Sequence, residues 1–161
     1  MVKANINHRE ANACKAGSCL CGGVRFMFTL PHIRFNCCHC NSCQKSTGAG
    51  HAANILVSID QFQWLAGEDL IQRFTDQASN PGFHRWFCSH CGGPVPRPSR
   101  NGQGIVIQAG LLDSPLGLQP ERNIYWSEHP DWFVPMDTIP KFLEGLDSPI
   151  ESNDFGSQDN A

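Results

Sequence analysis

Long apolar runs, an excess of basic charge and an export signal are all missing from this chain of 161 residues. The longest apolar stretch, around Ile105-Val106-Ile107, falls far short of the ~20 residues a membrane-spanning helix needs. The start, Met1 to His8, has no apolar signal-peptide core, so a cytoplasmic protein with no membrane partner is expected. Charged residues make up only 17 %, with a net charge of -3, which excludes a highly charged tail protein. The surplus of acid sits at the ends, in Glu10, Asp147, Glu151, Asp154 and Asp159 against Lys3 and Arg9, and the body from Cys14 to Leu146 is neutral. Without a basic excess to neutralise phosphates, nucleic-acid binding is not expected. What the chain does have is an ordinary hydrophobic share of 40 % and nine cysteines.

Seven of those cysteines form three knots: Cys19 and Cys21; Cys38, Cys40 and Cys43; Cys88 and Cys91. A disulfide framework fits them poorly, because secreted scaffolds are usually shorter and spread their cysteines along the chain. Cysteines this close suit a small thiolate-bound metal such as zinc, with ligands at about 2.3 Å. Cys19 and Cys21, alternating on a strand, share a face, while Cys88 and Cys91 make a knuckle turn, and glycines follow both pairs. Together they supply four thiolates, a closed tetrahedral set and hence a structural zinc site.

The third knot, Cys38-His39-Cys40-Asn41-Ser42-Cys43-Gln44-Lys45, offers three thiolates. Cys40 and Cys43 share one face of a helical turn, and Cys38 approaches from the extended segment before it. Three ligands leave one position open, the mark of a catalytic zinc. The alternative is a fourth protein ligand from His39, Cys37 or a distant histidine, giving a second structural site.

The periodicity is mostly two. Val24, Phe26 and Phe28 alternate with polar neighbours, and further short strands are expected over 52–58, 70–75, 83–88, 105–109 and 123–127. Helix is expected over 41–47, stopped by Gly48, and over 138–146. The chain reads as mainly β with minor helix, a single domain over 16–146 between a mobile N-terminal segment, 1–15, and a disordered acidic tail, 147–161.

Three blocks resemble the glutathione-dependent formaldehyde-activating enzyme (GFA) and CENP-V family: Gly17 through Phe26 around Cys19 and Cys21, Cys38 through Lys45, and Phe87 through Gly92. Asn123-Ile124-Tyr125-Trp126 through Trp132, with Ile139-Pro140-Lys141-Phe142, is similar to its C-terminal block. The resemblance implies a zinc-containing β-tent fold with two Zn(2+) per chain, one structural at Cys19, Cys21, Cys88 and Cys91 and one at Cys38, Cys40 and Cys43. It also implies carbon–sulfur lyase chemistry, the named member condensing formaldehyde with glutathione to S-hydroxymethylglutathione. Asn123 departs from the histidine that many relatives carry.

The expected partners are therefore a small-molecule thiol and an aldehyde, or their adduct; a homodimer stays open. An open three-thiolate zinc takes a thiol as thiolate, which adds to the carbonyl, and the catalytic set is Cys38, Cys40 and Cys43. Lys45, as a carboxylate anchor, and His51 are the candidate substrate-binding residues, with Ser46 and Thr47 further proton-transfer candidates. His84 and His90 are assigned nothing, and Trp64, Trp86, Trp126 and Trp132 are expected in the core. Two readings compete: a non-catalytic zinc-stabilised binding module, and redox sensing through the spare Cys37 and Cys38.

Overall fold

The computed structural model describes residues 13–78, 82–134 and 139–150. Ten strands and one α-helix make it mainly β: β1 (Cys14–Ser18), β2 (Arg25–Thr29), β3 (Arg34–Cys38), α1 (Asn41–Thr47), β4 (Ala52–Ser58), β5 (Phe62–Ala66), β6 (Ile71–Asp76), β7 (Phe83–Cys88), β8 (Arg97–Pro98), β9 (Gly104–Gln108) and β10 (Arg122–Ile124). They build a three-stranded sheet, β1-β2-β5, a five-stranded sheet, β10-β3-β4-β9-β8, and the β6-β7 hairpin. Every pairing is antiparallel except β10 with β3.

Phe26 and Phe28 project from one face of β2 into a core completed by Phe35, Ile55, Val57 and Ile107. Each such side chain, fully buried, stabilises the fold by about 1.5–3 kcal/mol. Alternation then decides what the other face of the large sheet carries. With Phe35 turned to the core, Arg34, Asn36 and Cys38 line a cleft on the opposite side.

Three expectations change: the strand expected over 123–127 spans Arg122–Ile124 and is ended by Tyr125 at φ 55°. Within the segment expected as helix over 138–146, the described residues 139–146 are not helical: residues 139–150 form bends and turns, an isolated bridge between Phe142 and Ile150, and a Leu143 N–H donating to the Pro149 carbonyl. A nine-residue stretch holding Pro140 and Gly145 is too short to stand as a helix without packing, and Leu143 and Leu146 are exposed. The tryptophans divide: Trp64 and Trp86 pack at the core, whereas Trp126 and Trp132 are exposed. Thr138, residues 1–12 of the N-terminal segment and residues 151–161 of the tail lie outside the described residues. The chain divides into two compact units, Met1–His129 and Pro130–Ala161, and both cysteine clusters lie in the first. Among the described residues, no helix is long and apolar enough to cross a membrane.

Candidate metal centres

Cys19 and Cys21 sit in a turn after β1 rather than on a strand, whereas Cys88 ends β7 and Cys91 lies in the turn after it. The two turns match. The Cys19 N–H donates to the Val24 carbonyl (3.0 Å) and the Cys88 N–H to the Gly93 carbonyl (2.9 Å), each five residues on. Gly22 and Gly92 complete them at φ of 72° and 69°, a region that costs an L side chain roughly 1–2 kcal/mol. Facing one another, the turns bring four sulfurs within 4.8 Å of each other. Cys19 Sγ lies 3.5 Å from Cys21 Sγ, which lies 3.9 Å from Cys88 Sγ. A tetrahedron with metal–sulfur bonds of 2.3 Å has edges of about 3.8 Å, so the set fits one zinc-sized ion; a disulfide at about 2.05 Å it is not. The Val24 N–H, 3.2 Å from Cys19 Sγ, favours the thiolate there, and the Gly93 backbone N–H helps pull Cys91 down to about 6.

The second centre starts at the end of β3. Cys38 is its last residue, Cys40 is the N-cap of α1 and Cys43 lies one turn inside it. Their sulfurs also lie within 4.8 Å, Cys38 to Cys40 at 3.6 Å, again near a tetrahedral edge. The hydrogen bond from Cys43 pulls Cys38 down to about 6, and the same bond pushes Cys43 up. Three clustered thiols that already favour one thiolate are a cation-binding donor set. Neither His39 nor Cys37 belongs to it.

His39 is instead fully buried and held elsewhere. Its Nδ1 donates to the Gly50 carbonyl (3.0 Å), and its Nε2 lies 3.0 Å from the Asn123 side-chain amide. Trp126 meets the ring edge-on at 4.9 Å and His51 lies 5.3 Å away. Asn123 thus fixes the residue between two of the sulfur-bearing positions. After it, Tyr125 takes the left-handed region (φ 55°) and turns the chain so that Glu128 accepts from the Asn41 N–H at the start of α1 (2.9 Å). The helix has no acidic residue of its own in its first turn, and Glu128 provides one from 87 positions away.

The three sulfurs open onto a cleft of about 530 Å³ between the large sheet and the β6-β7 hairpin. The hairpin is tied to α1 by Arg85, whose guanidinium donates to the Ser46 carbonyl. Lys45 is exposed and lies outside the cleft lining, as does His51. His51 packs behind the site, where burial and then the neighbouring His39 lower its pKa. Ser46 and Thr47 spend their hydroxyls on the Cys43 carbonyl. The lining includes His84 and Tyr125, together with Arg34, Arg73, Arg97 and Arg100, none of which stood among the candidates. For Arg34 and Asn36 the alternation with Cys38 was a usable signal; Arg97 and Arg100 arrive from a distant segment and had none.

Comparison with known proteins agrees with this architecture. Residues 14–128 match the family model described as glutathione-dependent formaldehyde-activating enzyme. A curated Halomonas elongata protein, provisionally named a glutathione-dependent formaldehyde-activating enzyme, is 34 % identical over 122 residues, covering 72 % of this chain and 77 % of that one. The crystal structure of a Rhodobacter sphaeroides protein shares the fold, with a TM-score of 0.52 at 17 % identity over 67 % of this chain and 98 % of that one. The chain belongs to the glutathione-dependent formaldehyde-activating enzyme family.

Proposed function

We propose that the three-cysteine cleft is the active site of a zinc-dependent carbon–sulfur lyase, which adds a small, glutathione-like thiol to an aldehyde such as formaldehyde or cleaves the adduct. One observation carries the reading: of two cysteine clusters, the four-sulfur set is complete in itself, and the three-sulfur set opens onto a cleft. The family's name supports the substrate pair. Cys19, Cys21, Cys88 and Cys91 would hold the structural zinc, and Cys38, Cys40 and Cys43 the second. Zinc held by Cys38, Cys40 and Cys43 would supply Lewis acidity that favours the thiolate form of a bound thiol near neutral pH.

The chain's residues do the rest. Cys38, Cys40 and Cys43 are soft donors, and a zinc they held would favour a soft, thiol-bearing partner over a hard oxygen ligand. Phe83, Trp86 and Val106 give the cleft apolar wall, which shields the reacting sulfur from water. In the addition, the sulfur lone pair forms the S–C bond, the carbonyl π bond breaks, and its oxygen takes up the proton the thiol released. Cleavage is the reverse, and no oxidant or reductant is consumed. We assign the exchange of that proton to His84 or Tyr125, both of which line the cleft. A reducing, cytoplasmic setting would keep these cysteines available as metal ligands.

The test is exchange NMR of glutathione with formaldehyde. The metal-loaded protein is expected to speed adduct formation and breakdown, and Cys40→Ser to lose that effect while keeping its fold. No acceleration with glutathione or other biological thiols would overturn the reading in favour of a zinc-stabilised binding module.

A further inference from the structure

Resting on the proposed thiol–aldehyde chemistry, we infer that a row of three side-chain amides forms a second, narrow inlet to the three sulfurs, admitting a water-sized carbonyl compound while the thiol holds the cleft. The row follows from register. Asn36 on β3 lies opposite Asn54 on β4, and Asn54 lies opposite Gln108 on β9. Directly paired residues share a face, and neighbouring strands stand about 4.8 Å apart, so the three amides cross about 10 Å of sheet side by side. The next row on one side is Cys38 with Ala52, and on the other Arg34 with Leu56 and Val106.

The row leads from one opening to another. Asn36 and Asn54 line the cleft. Asn54 and Gln108 line a small cavity of about 20 Å³, which Cys43 also lines. Gln108 and Pro94 in turn belong to a second pocket of about 570 Å³ beside the four-cysteine turns, whose lining includes the exposed Leu20 and Asp113. The small cavity therefore lies between a sulfur of the open set and a pocket that reaches the surface. One water needs roughly 10–15 Å³, so the cavity suits water or a one-carbon carbonyl and excludes larger aldehydes.

The inner end of the row carries an independent mark. Only 7 % of the Asn36 surface is exposed, and its buried Oδ1 has no hydrogen-bond partner among the described residues. A buried acceptor in a folded protein is normally satisfied, and here a small donor held in the inlet would satisfy it. The chemistry of the row suits passage. Each amide both donates and accepts, so a small polar molecule finds a partner at every step, and none of the three carries a charge that would hold it fast. A thiol seated at Cys38, Cys40 and Cys43 stands between those sulfurs and the mouth of the cleft. A second substrate that arrives past Gln108 and Asn54 meets the sulfur from the side the thiol leaves open.

The experiment pairs a high-resolution crystal structure of the zinc-loaded protein with exchange kinetics on Asn54→Leu/Gln108→Met, in which both side chains nearly keep their size and lose their polarity. Ordered water on Asn36 Oδ1 and inside the small cavity is expected in the wild type. At saturating glutathione, the double variant is expected to need at least about fivefold more formaldehyde for half-maximal exchange, the loss of one hydrogen bond being worth that much. Its glutathione affinity, zinc content and limiting rate should match the wild type. A dry cavity, or an unchanged formaldehyde requirement, overturns the inlet while leaving the thiol reading standing. An equal rise in the glutathione requirement would locate the damage in the cleft and overturn the inlet as well. If the wild type accelerates no thiol–aldehyde exchange, the functional reading itself fails, and the inlet with it.

Discussion

The two cysteine clusters share one donor chemistry in two different backbone settings. The four-cysteine set is made by two equivalent turns, each closing on itself through a hydrogen bond from the first cysteine to a residue five further on. Its ligands come from segments 67 positions apart, so a metal there ties distant parts of the chain together. The three-cysteine set is local, six residues spanning a strand end and the first turn of a helix, and faces a cleft rather than a fourth ligand. On the proposed reading, the closed set braces the fold and the open set is the active site.

The largest expected effect falls on the brace. Cys88→Ser leaves three thiolates where four are needed, and structural zinc contributes on the order of 10–16 kcal/mol, comparable with or larger than the whole stability of a small domain. Loss of soluble, folded protein is expected; an unchanged melting temperature would erase the distinction between the clusters. Mild chelation comes next. Metal analysis should show about one equivalent leaving while the β-rich circular dichroism persists, and simultaneous loss of both metals with unfolding would show that both clusters brace the fold.

Cys40→Ser should act on the open side alone: metal content falls by about one, the fold survives, and in the cobalt-substituted protein the thiol-dependent charge-transfer band disappears. Asn123→Ala removes a hydrogen bond to the buried His39, at a cost of about 1–3 kcal/mol, read as a melting shift of about 2–4 °C per kcal/mol. That shift should come with weaker metal retention at the three-cysteine set and none at the other. The smallest effect concerns Glu121, just before β10, whose carboxyl the His32 hydrogen bond holds below its usual 4.5. A depressed carboxylate stabilises the fold above the unfolded value and loses that contribution as pH falls through the folded one. Glu121→Gln should therefore cost less than about 1 kcal/mol near neutrality, because the pair is exposed, and the difference should vanish in acid below the folded value.

Much of this was legible in the residues. The strand over 52–58, the one over 83–88 and the helix over 41–47 were all expected at the limits they have, because alternating apolar positions and a left-handed Gly48 are local signals. β1, Cys-Lys-Ala-Gly-Ser, carried no such signal and is a strand because β2 pairs with it along its whole length. The helix expected over 138–146 failed in the opposite way: its apolar spacing was present, yet Leu143 and Leu146 are exposed.

The cysteine spacing by itself determined the donor chemistry, since thiolates two or three residues apart are held in reach of one ion by the backbone alone. Which side chains share the cleft with the open set was decided only in three dimensions. Lys45 is near in sequence and faces away, whereas Arg97 and Arg100 are more than fifty residues from Cys43 and line the same space. Pairing of β8 with β9, and of β9 with β4, carries them there, and strand pairing across such separations is written in the packing of the whole sheet rather than in any one segment.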